Sequence, residues 1–243
     1  LDDFSIDDSL EIANEIKKEI SQYVDFRIIA NEKNQGTFNQ WKRGFKESKY
    51  RYVWIAEADD FCSSNFLETV ISAFKKDNKV VISYCNTLYI DSRGVITGNT
   101  RKDIDYQKSG HWNNDYIIEG AEEIQKFSCL NNTIANVSSV VFKKLENLNY
   151  DLMFDEAKNY KQAGDWIFYL EYMLKGKVSF SHRSLNYYRI HGGNVSSTTK
   201  LSLHLEEIER VYKFLETITN VDSSMKTKMK IRLGKLREAW SVN

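Results

Sequence analysis

Four acidic or histidine positions fall where strand-like or loop segments turn: Asp2-Asp3, Asp59-Asp60, Asp165 and His191. Asp59 and Asp60 end an apolar, aromatic run, residues 51–62 (RYVWIAEADDFC). Adjacent like charges at a strand end are costly unless a cation or a polar ligand shares them. Mg²⁺ or Mn²⁺ is such a cation, since both prefer carboxylate oxygens and keep positions for substrate phosphates. An acidic loop capping the next helix accounts for the same pair, and residue type alone leaves both readings open. His191 offers either an imidazole that Mn²⁺ accepts or a turn histidine bonded to backbone. Asp165 follows Gly164 and opens a helix, so it is either an N-cap or a general base within reach of the proton it removes. Asp2 and Asp3 are helix caps, or acceptors for a base or sugar at a sheet edge.

The surrounding pattern supplies the elements that must position these groups. Residues 51–62 read as strand then loop, and a helix follows to about 76 with Phe66, Leu67, Val70, Ile71 and Phe74 at helical spacing. Before it come a helix to about 22 with Ile12, Ile16 and Ile20 on one face, a strand at 24–30, a polar turn at 31–36 and a helix from Thr37 to about 48. After it come a strand at 80–84, a hairpin over 87–90 with a Ser92-Arg93-Gly94 turn, and an irregular stretch from 97 to 120 that covers the site. A helix at 121–127, a polar turn at 131–136, a strand at 137–142, an apolar helix at 166–174 and short strands at 177–180 and 185–190 follow. Two amphipathic helices, 203–218 and 223–240, complete the chain as a tail or linker. Strands alternating with helices predict a layered α/β domain with a mostly parallel central sheet. Ligands of such sheets bind outside the carboxyl ends of the strands, which brings distant carboxylates into one cleft.

Composition narrows the function. At 243 residues the chain supports one large α/β domain with a helical appendage. Lys+Arg and Asp+Glu stand at 34 each, so no global field favours nucleic acid or anionic lipid. The three cysteines, Cys62, Cys85 and Cys129, have no paired spacing and read as free thiols in a reducing compartment, here the cytoplasm. No apolar run approaches a membrane span. The 14 Tyr, 13 Phe and 5 Trp are mostly core, with Trp112 and Trp166 the candidates for stacking on sugar rings.

The order of the motifs LDDFSIDDS, NEKNQGTFNQWKRGF, YVWIAEADDF, AGDW and YYRIHGGNVS resembles the family 2 glycosyltransferases of the GT-A fold, over about residues 1–197. The resemblance implies a Rossmann-like GT-A domain at 1–198, with a helical tail or linker at 199–243. It implies that Asp3, with Asp2 beside it, bonds the nucleotide base, that Asp59 contacts the donor's ribose or sugar, and that Asp60 holds Mn²⁺ or Mg²⁺. His191 completes the metal or diphosphate site and Asp165 is the base that deprotonates the acceptor, its ionisation helped by Lys158 and Lys161. The implied reaction moves a sugar from a nucleoside-diphosphate sugar to a glycan or lipid-linked acceptor with inversion. Its setting is a module of a large bacterial protein that builds surface polysaccharide, held at the inner face of the membrane through other domains.

The pattern departs from the family in two places. The family's first strand is missing ahead of LDDFSIDDS, so the chain is expected to be a fragment lacking part of the base pocket. Gln40-Trp41 stands where many relatives carry smaller residues and an Arg. A catalytically silent glycan- or partner-binding module is the rival from another class. A nucleotidyltransferase is a further rival, which would require a Gly-rich basic phosphate loop.

Overall fold

The computed structural model describes residues 1–105, 107–192 and 200–241. The chain forms two compact units, Leu1–Ser48 and Lys49–Asn243.

In the first unit, α1 (Ser9–Ile20) is amphipathic, yet it buries no residue, and Ile12 and Ile16 lie on the surface. The strand expected at 24–30 is reduced to one parallel bridge, Asp2 with Ala30. Asp2 N donates to Ile29 O at 2.9 Å and Asn31 N to Asp2 O at 3.0 Å, and an isolated pairing of this length is marginal as a sheet. Gly36, at φ 82°, turns the chain in a conformation that favours glycine and leads into α2 (Thr37–Glu47), which buries Trp41 and Phe45.

The second unit is built on a seven-stranded sheet: β1 (Tyr52–Trp54), β2 (Phe61–Cys62), β3 (Val80–Ile90), β4 (Ile96–Asn99), β5 (Tyr116–Glu119), β6 (Val140–Lys143) and β7 (Lys177–Arg189). Its main path runs β1-β6-β3-β7-β2, with β4 on β3 and β5 on β7. The sheet is mixed rather than mostly parallel. The long central pair β3–β7 is parallel, and the other pairings are antiparallel. The chain leaves β3 through a tight hairpin over Asp91–Val95, so β4 runs antiparallel to it, and β6 likewise enters in the opposite sense, whereas β7 runs along β3.

Two apparent strand breaks are bulges. Residues 80–84 and 87–90 form one strand, as do 177–180 and 185–189, and the β3–β7 register shifts at Cys85, Asn86 and Thr87. Asn86, which falls between the two expected strand runs, and Thr87 are both buried and hydrogen-bonded. The expected irregular stretch 97–120 also carries structure: the end of β4, α4 (Arg101–Ile104), a 3₁₀ turn (His111–Asn113) and β5. The helix expected at 121–127 is α5 (Gly120–Glu123) continued by a π turn, Ile124–Ser128. A 3₁₀ turn, Val137–Ser139, takes the start of the strand expected at 137–142.

Helix α3 (Phe66–Lys76) covers one face of the sheet, packing Phe66, Val70 and Phe74 against Cys85, Val141 and Leu185. On α7 (Gly164–Met173), Phe168, Tyr169 and Tyr172 pack on Phe142, and Phe168 also stacks on Phe154 of α6 (Tyr150–Ala157). Gly120 lies so close to the end of α7 that a Cβ there would meet Met173 O at 1.8 Å. Helices α8 (Leu201–Ile218) and α9 (Ser223–Ser241) pack on each other, and α8 packs on α7 as part of this unit. Helix α8 buries Ile208, Val211, Tyr212 and Leu215. Its Glu207 carboxylate, also buried, accepts the backbone N–H of Lys161 (2.5 Å), Gln162 (2.8 Å) and Ala163 (3.0 Å). The tail helix thus fixes the turn that feeds α7 and, with it, Asp165.

Candidate active site

In the second unit, four segments bring polar groups together: the loop after β1, the turn before β6, the end of β7 and the start of α7. Trp54 Nε1 donates to Ser138 O at 2.8 Å and Glu57 N to Ser138 Oγ at 3.0 Å, tying the loop after β1 to the turn before β6. Asp60 then sits in a ring of donors. Its Oδ2 accepts from Asn136 Nδ2 and Ser138 Oγ, both at 2.8 Å, and its Oδ1 accepts from Arg189 N at 3.0 Å. Arg189 Nε also donates to the carbonyl of Asp59 at 2.9 Å, which fixes the acidic turn to the end of β7.

Asp59 and His191 stand further out. Asp59 Oδ2 and His191 Nε2 are 3.1 Å apart, with the two side chains 41% and 38% exposed. The imidazole thus meets Asp59 rather than Asp60. The rest of the turn after Gly192, residues 193–199, with the expected boundary at 198, lies outside the described residues.

Asp165 opens α7. Its Oδ1 accepts from Trp166 N at 2.7 Å and its Oδ2 from Asn132 Nδ2 at 2.9 Å. Burial pushes its carboxyl up to about 7, the charge of Glu207 adds to the rise, and the two donors oppose it. Lys158 and Lys161, expected to keep it ionised, do not. Lys158 pairs with Asp155 at 2.8 Å, and Lys161 contributes its backbone N–H to Glu207. Trp112 and Trp166 are core residues rather than sugar platforms: their indole N–H groups donate to Tyr84 Oη at 2.9 Å and Ser128 O at 2.8 Å.

Glu57 links these groups and was missed in the sequence, although it stands inside the AEADD run. Burial pushes its carboxyl up to about 7, followed by the charges of Asp60, Asp59 and Asp165, against the 3.3 Å bond from Asn136 Nδ2. The charges of Asp60, Asp59 and Asp165 thus all act on Glu57. Burial likewise raises Asp60, with its donors opposing and the charge of Asp59 adding to the rise. Asn132, Asn136 and Ser138 lay in a stretch that reads only as a polar turn and a strand start. Their spacing marks no chemistry, and it is the fold that aims them at carboxylates.

Among the described residues no three carboxylates, imidazoles or thiols are grouped as a preformed metal centre. The three bonds on Asp60 leave it about one of the four acceptor positions of a carboxylate. Together with the exposed Asp59, that suits a hard cation such as Mg²⁺ or Mn²⁺, which binds through one or two carboxylates and takes the rest of its shell from phosphates and water. The donor set fits the cation at Asp59-Asp60, with His191 held against Asp59.

In the first unit, Asp3 orders a turn. Its Oδ1 accepts from Asn31 Nδ2 (2.8 Å), Gln35 N (2.7 Å) and Gln40 Nε2 (2.7 Å), and its Oδ2 from Gly36 N (2.8 Å). Burial works to raise this carboxyl, but the four donors outweigh it and hold it low. Asp2 accepts from the Ser5 hydroxyl and, at 3.2 Å, from Ser5 N. Gln40, one of the two departures from the family pattern, is therefore a partner of Asp3.

The description "Glycosyl transferase family 2" belongs to the family model that matches residues 1–136. No curated protein matches the chain in sequence. Among solved structures, S. aureus TarS 1-349 in complex with UDP-GlcNAc superposes with a TM-score of 0.59 at 13% identity, over 96% of this chain and 61% of that one. TarS 1-349 without the complex gives 0.58 at 13%, over 95% and 60%. The chain therefore spans about three fifths of the TarS chains it matches. At this identity the likeness is one of fold, and the mixed sheet flanked by helices is of the GT-A type. With the family model covering more than half of its length, the chain belongs to glycosyl transferase family 2.

Proposed function

We propose that the chain transfers a sugar from a nucleoside-diphosphate sugar to a hydroxyl of a glycan or lipid-linked acceptor, with inversion, in the cytoplasmic assembly of bacterial surface polysaccharide. The observation that carries this reading is the pairing of two unlike carboxylate environments around Glu57. Asp59 is open to solvent and Asp60 is pinned by three donors, whereas Asp165 is raised to about 7. The first pair suits a metal-bound diphosphate, and a carboxyl that titrates near neutrality suits a general base. The UDP-GlcNAc bound by TarS supports a UDP-sugar as donor.

In this reading Asp60, backed by Asn136, Ser138 and Arg189 N, holds the cation, and Asp59, steadied by His191, faces the donor. A divalent cation bound there offsets the charge that develops on the departing diphosphate. Asp165 takes the proton of the acceptor hydroxyl as that oxygen attacks the anomeric carbon from the face opposite the diphosphate. A single displacement inverts the anomeric centre. Glu57 holds a proton near neutrality, which spares a further negative charge beside Asp59 and Asp60. For Asp3 we propose an indirect part: the turn at 31–40 that it orders meets the nucleotide base.

Calorimetric titration of nucleoside diphosphates with and without Mn²⁺ tests the reading. UDP is expected to bind at least tenfold more tightly with Mn²⁺ in the wild type, and Asp60→Ala is expected to remove that gain. Binding without any metal dependence, or no nucleotide binding at all, would replace this reading with that of a silent module.

A further inference from the structure

A cavity of about 630 Å³ opens beside α4, between that helix, the loop that follows it and the middle of the sheet. It shares no lining residue with the carboxylate cluster. Its charged lining is three cations, Arg101, Lys102 and Lys108, against one carboxylate, Asp105. That carboxylate is turned into its own loop: Oδ1 accepts from Ser109 N (2.7 Å) and Ser109 Oγ (2.8 Å), and Oδ2 from Gly110 N (2.8 Å). It therefore makes no direct pair with the lysines, the lining keeps an excess of two positive charges, and among the described residues Lys102 and Lys108 form no ion pair. One end of the Arg101 guanidinium is anchored, Nη2 donating to His182 O at 3.0 Å. Its Nε is shielded from solvent and has no hydrogen-bond partner. The buried Asn86 stiffens the floor, accepting from Thr100 Oγ1 at 3.2 Å and donating to Ser184 Oγ at 2.6 Å. The amides of Asn99 and Asn113 line the wall and offer both donors and acceptors.

A cluster of like charges around a cavity is a cost that an anion removes, and a guanidinium with ammonium groups matches phosphoryl oxygens. The volume falls within the range of small-molecule sites, about 300–1,000 Å³, and is too large for phosphate alone. We propose that this cavity binds an organic phosphate, its phosphoryl group against Arg101, Lys102 and Lys108 and its polar body against Asn99 and Asn113. The site stands apart from the transfer reading, so either can fail without the other.

Nuclear magnetic resonance of the ¹⁵N-labelled chain tests this with glucose 1-phosphate and inorganic phosphate as probes. Glucose 1-phosphate is expected to shift the amides of Asn99, Gly110 and Asn113 to saturation. The variant Lys102→Gln/Lys108→Gln, which alters two exposed side chains and keeps the fold, is expected to weaken that binding at least tenfold. Inorganic phosphate is expected to bind the same amides more weakly. Absence of shifts there, shifts confined to residues 57–60, or unchanged affinity in the double variant would overturn the site. Equal affinity for inorganic phosphate would overturn the part assigned to Asn99 and Asn113.

Discussion

Replacing Asp165 by Asn separates the cost of this carboxylate to the fold from its use in chemistry. Burial raises Asp165 from 3.8 to about 7. A folded carboxyl that holds its proton more tightly than the unfolded one contributes a cost that is absent below the unfolded value and complete above the folded one. Stability therefore falls as pH rises between roughly 4 and 7. A rise of about three pKa units corresponds to on the order of 4 kcal/mol at about 1.4 kcal/mol per unit, an upper figure because Glu57 titrates with it. Asparagine resembles the protonated acid and carries no such cost. Urea unfolding followed by circular dichroism at pH 5 and pH 8 is the assay. Near pH 5 the two proteins should be similar, and at pH 8 Asp165→Asn should be the more stable by up to about 4 kcal/mol. A variant less stable than wild type at pH 8, or a difference that does not change between the two pH values, would refute the argument.

Two further outcomes follow from the hydrogen bonds. Asn136→Ala removes the donor shared by Glu57 and Asp60 and takes from the buried Asn186 amide one of its two acceptors, Asn136 Oδ1 at 2.8 Å, leaving Thr87 Oγ1 at 3.2 Å. It should cost about 1–3 kcal/mol in urea unfolding and weaken Mn²⁺-dependent UDP binding, whereas an unchanged calorimetric titration would show that Asp60 needs no such support. Glu207→Ala leaves three backbone N–H groups without their acceptor, and a loss of about 3 kcal/mol or more with faster hydrogen exchange at residues 161–163 is expected.

What could be read in the sequence was set by local signals. The runs ending at Asp59-Asp60 and His191 are short, apolar and followed by turn residues, and the structure brings them together as strand ends do. Strand direction was not legible, because nothing local in 140–143 says that it enters the sheet antiparallel to Val80–Ile90. Nor was the continuity of β3 and β7: Asn86 and residues 181–184 fall between the apolar runs, and the partners that hold Asn86 in the strand come from Thr100 and Ser184. Glu57 could have been singled out, since a third acid two residues before a carboxylate pair must be exposed, paired or protonated. Glu207 could not, because an acid on a charged amphipathic helix reads as solvated, and only the packing of α8 turns it onto the loop before α7.

The central claim, that Asp60 and Asp165 serve one transfer, is tested most directly by measuring release of labelled sugar from a UDP-sugar with Mn²⁺ by the full polypeptide, its Asp60→Ala variant and its Asp165→Asn variant. Transfer by the wild type with loss of at least a thousandfold in each variant, both still folded by circular dichroism, is the predicted result, a barrier increase of about 4 kcal/mol or more. Full transfer by either folded variant would contradict it.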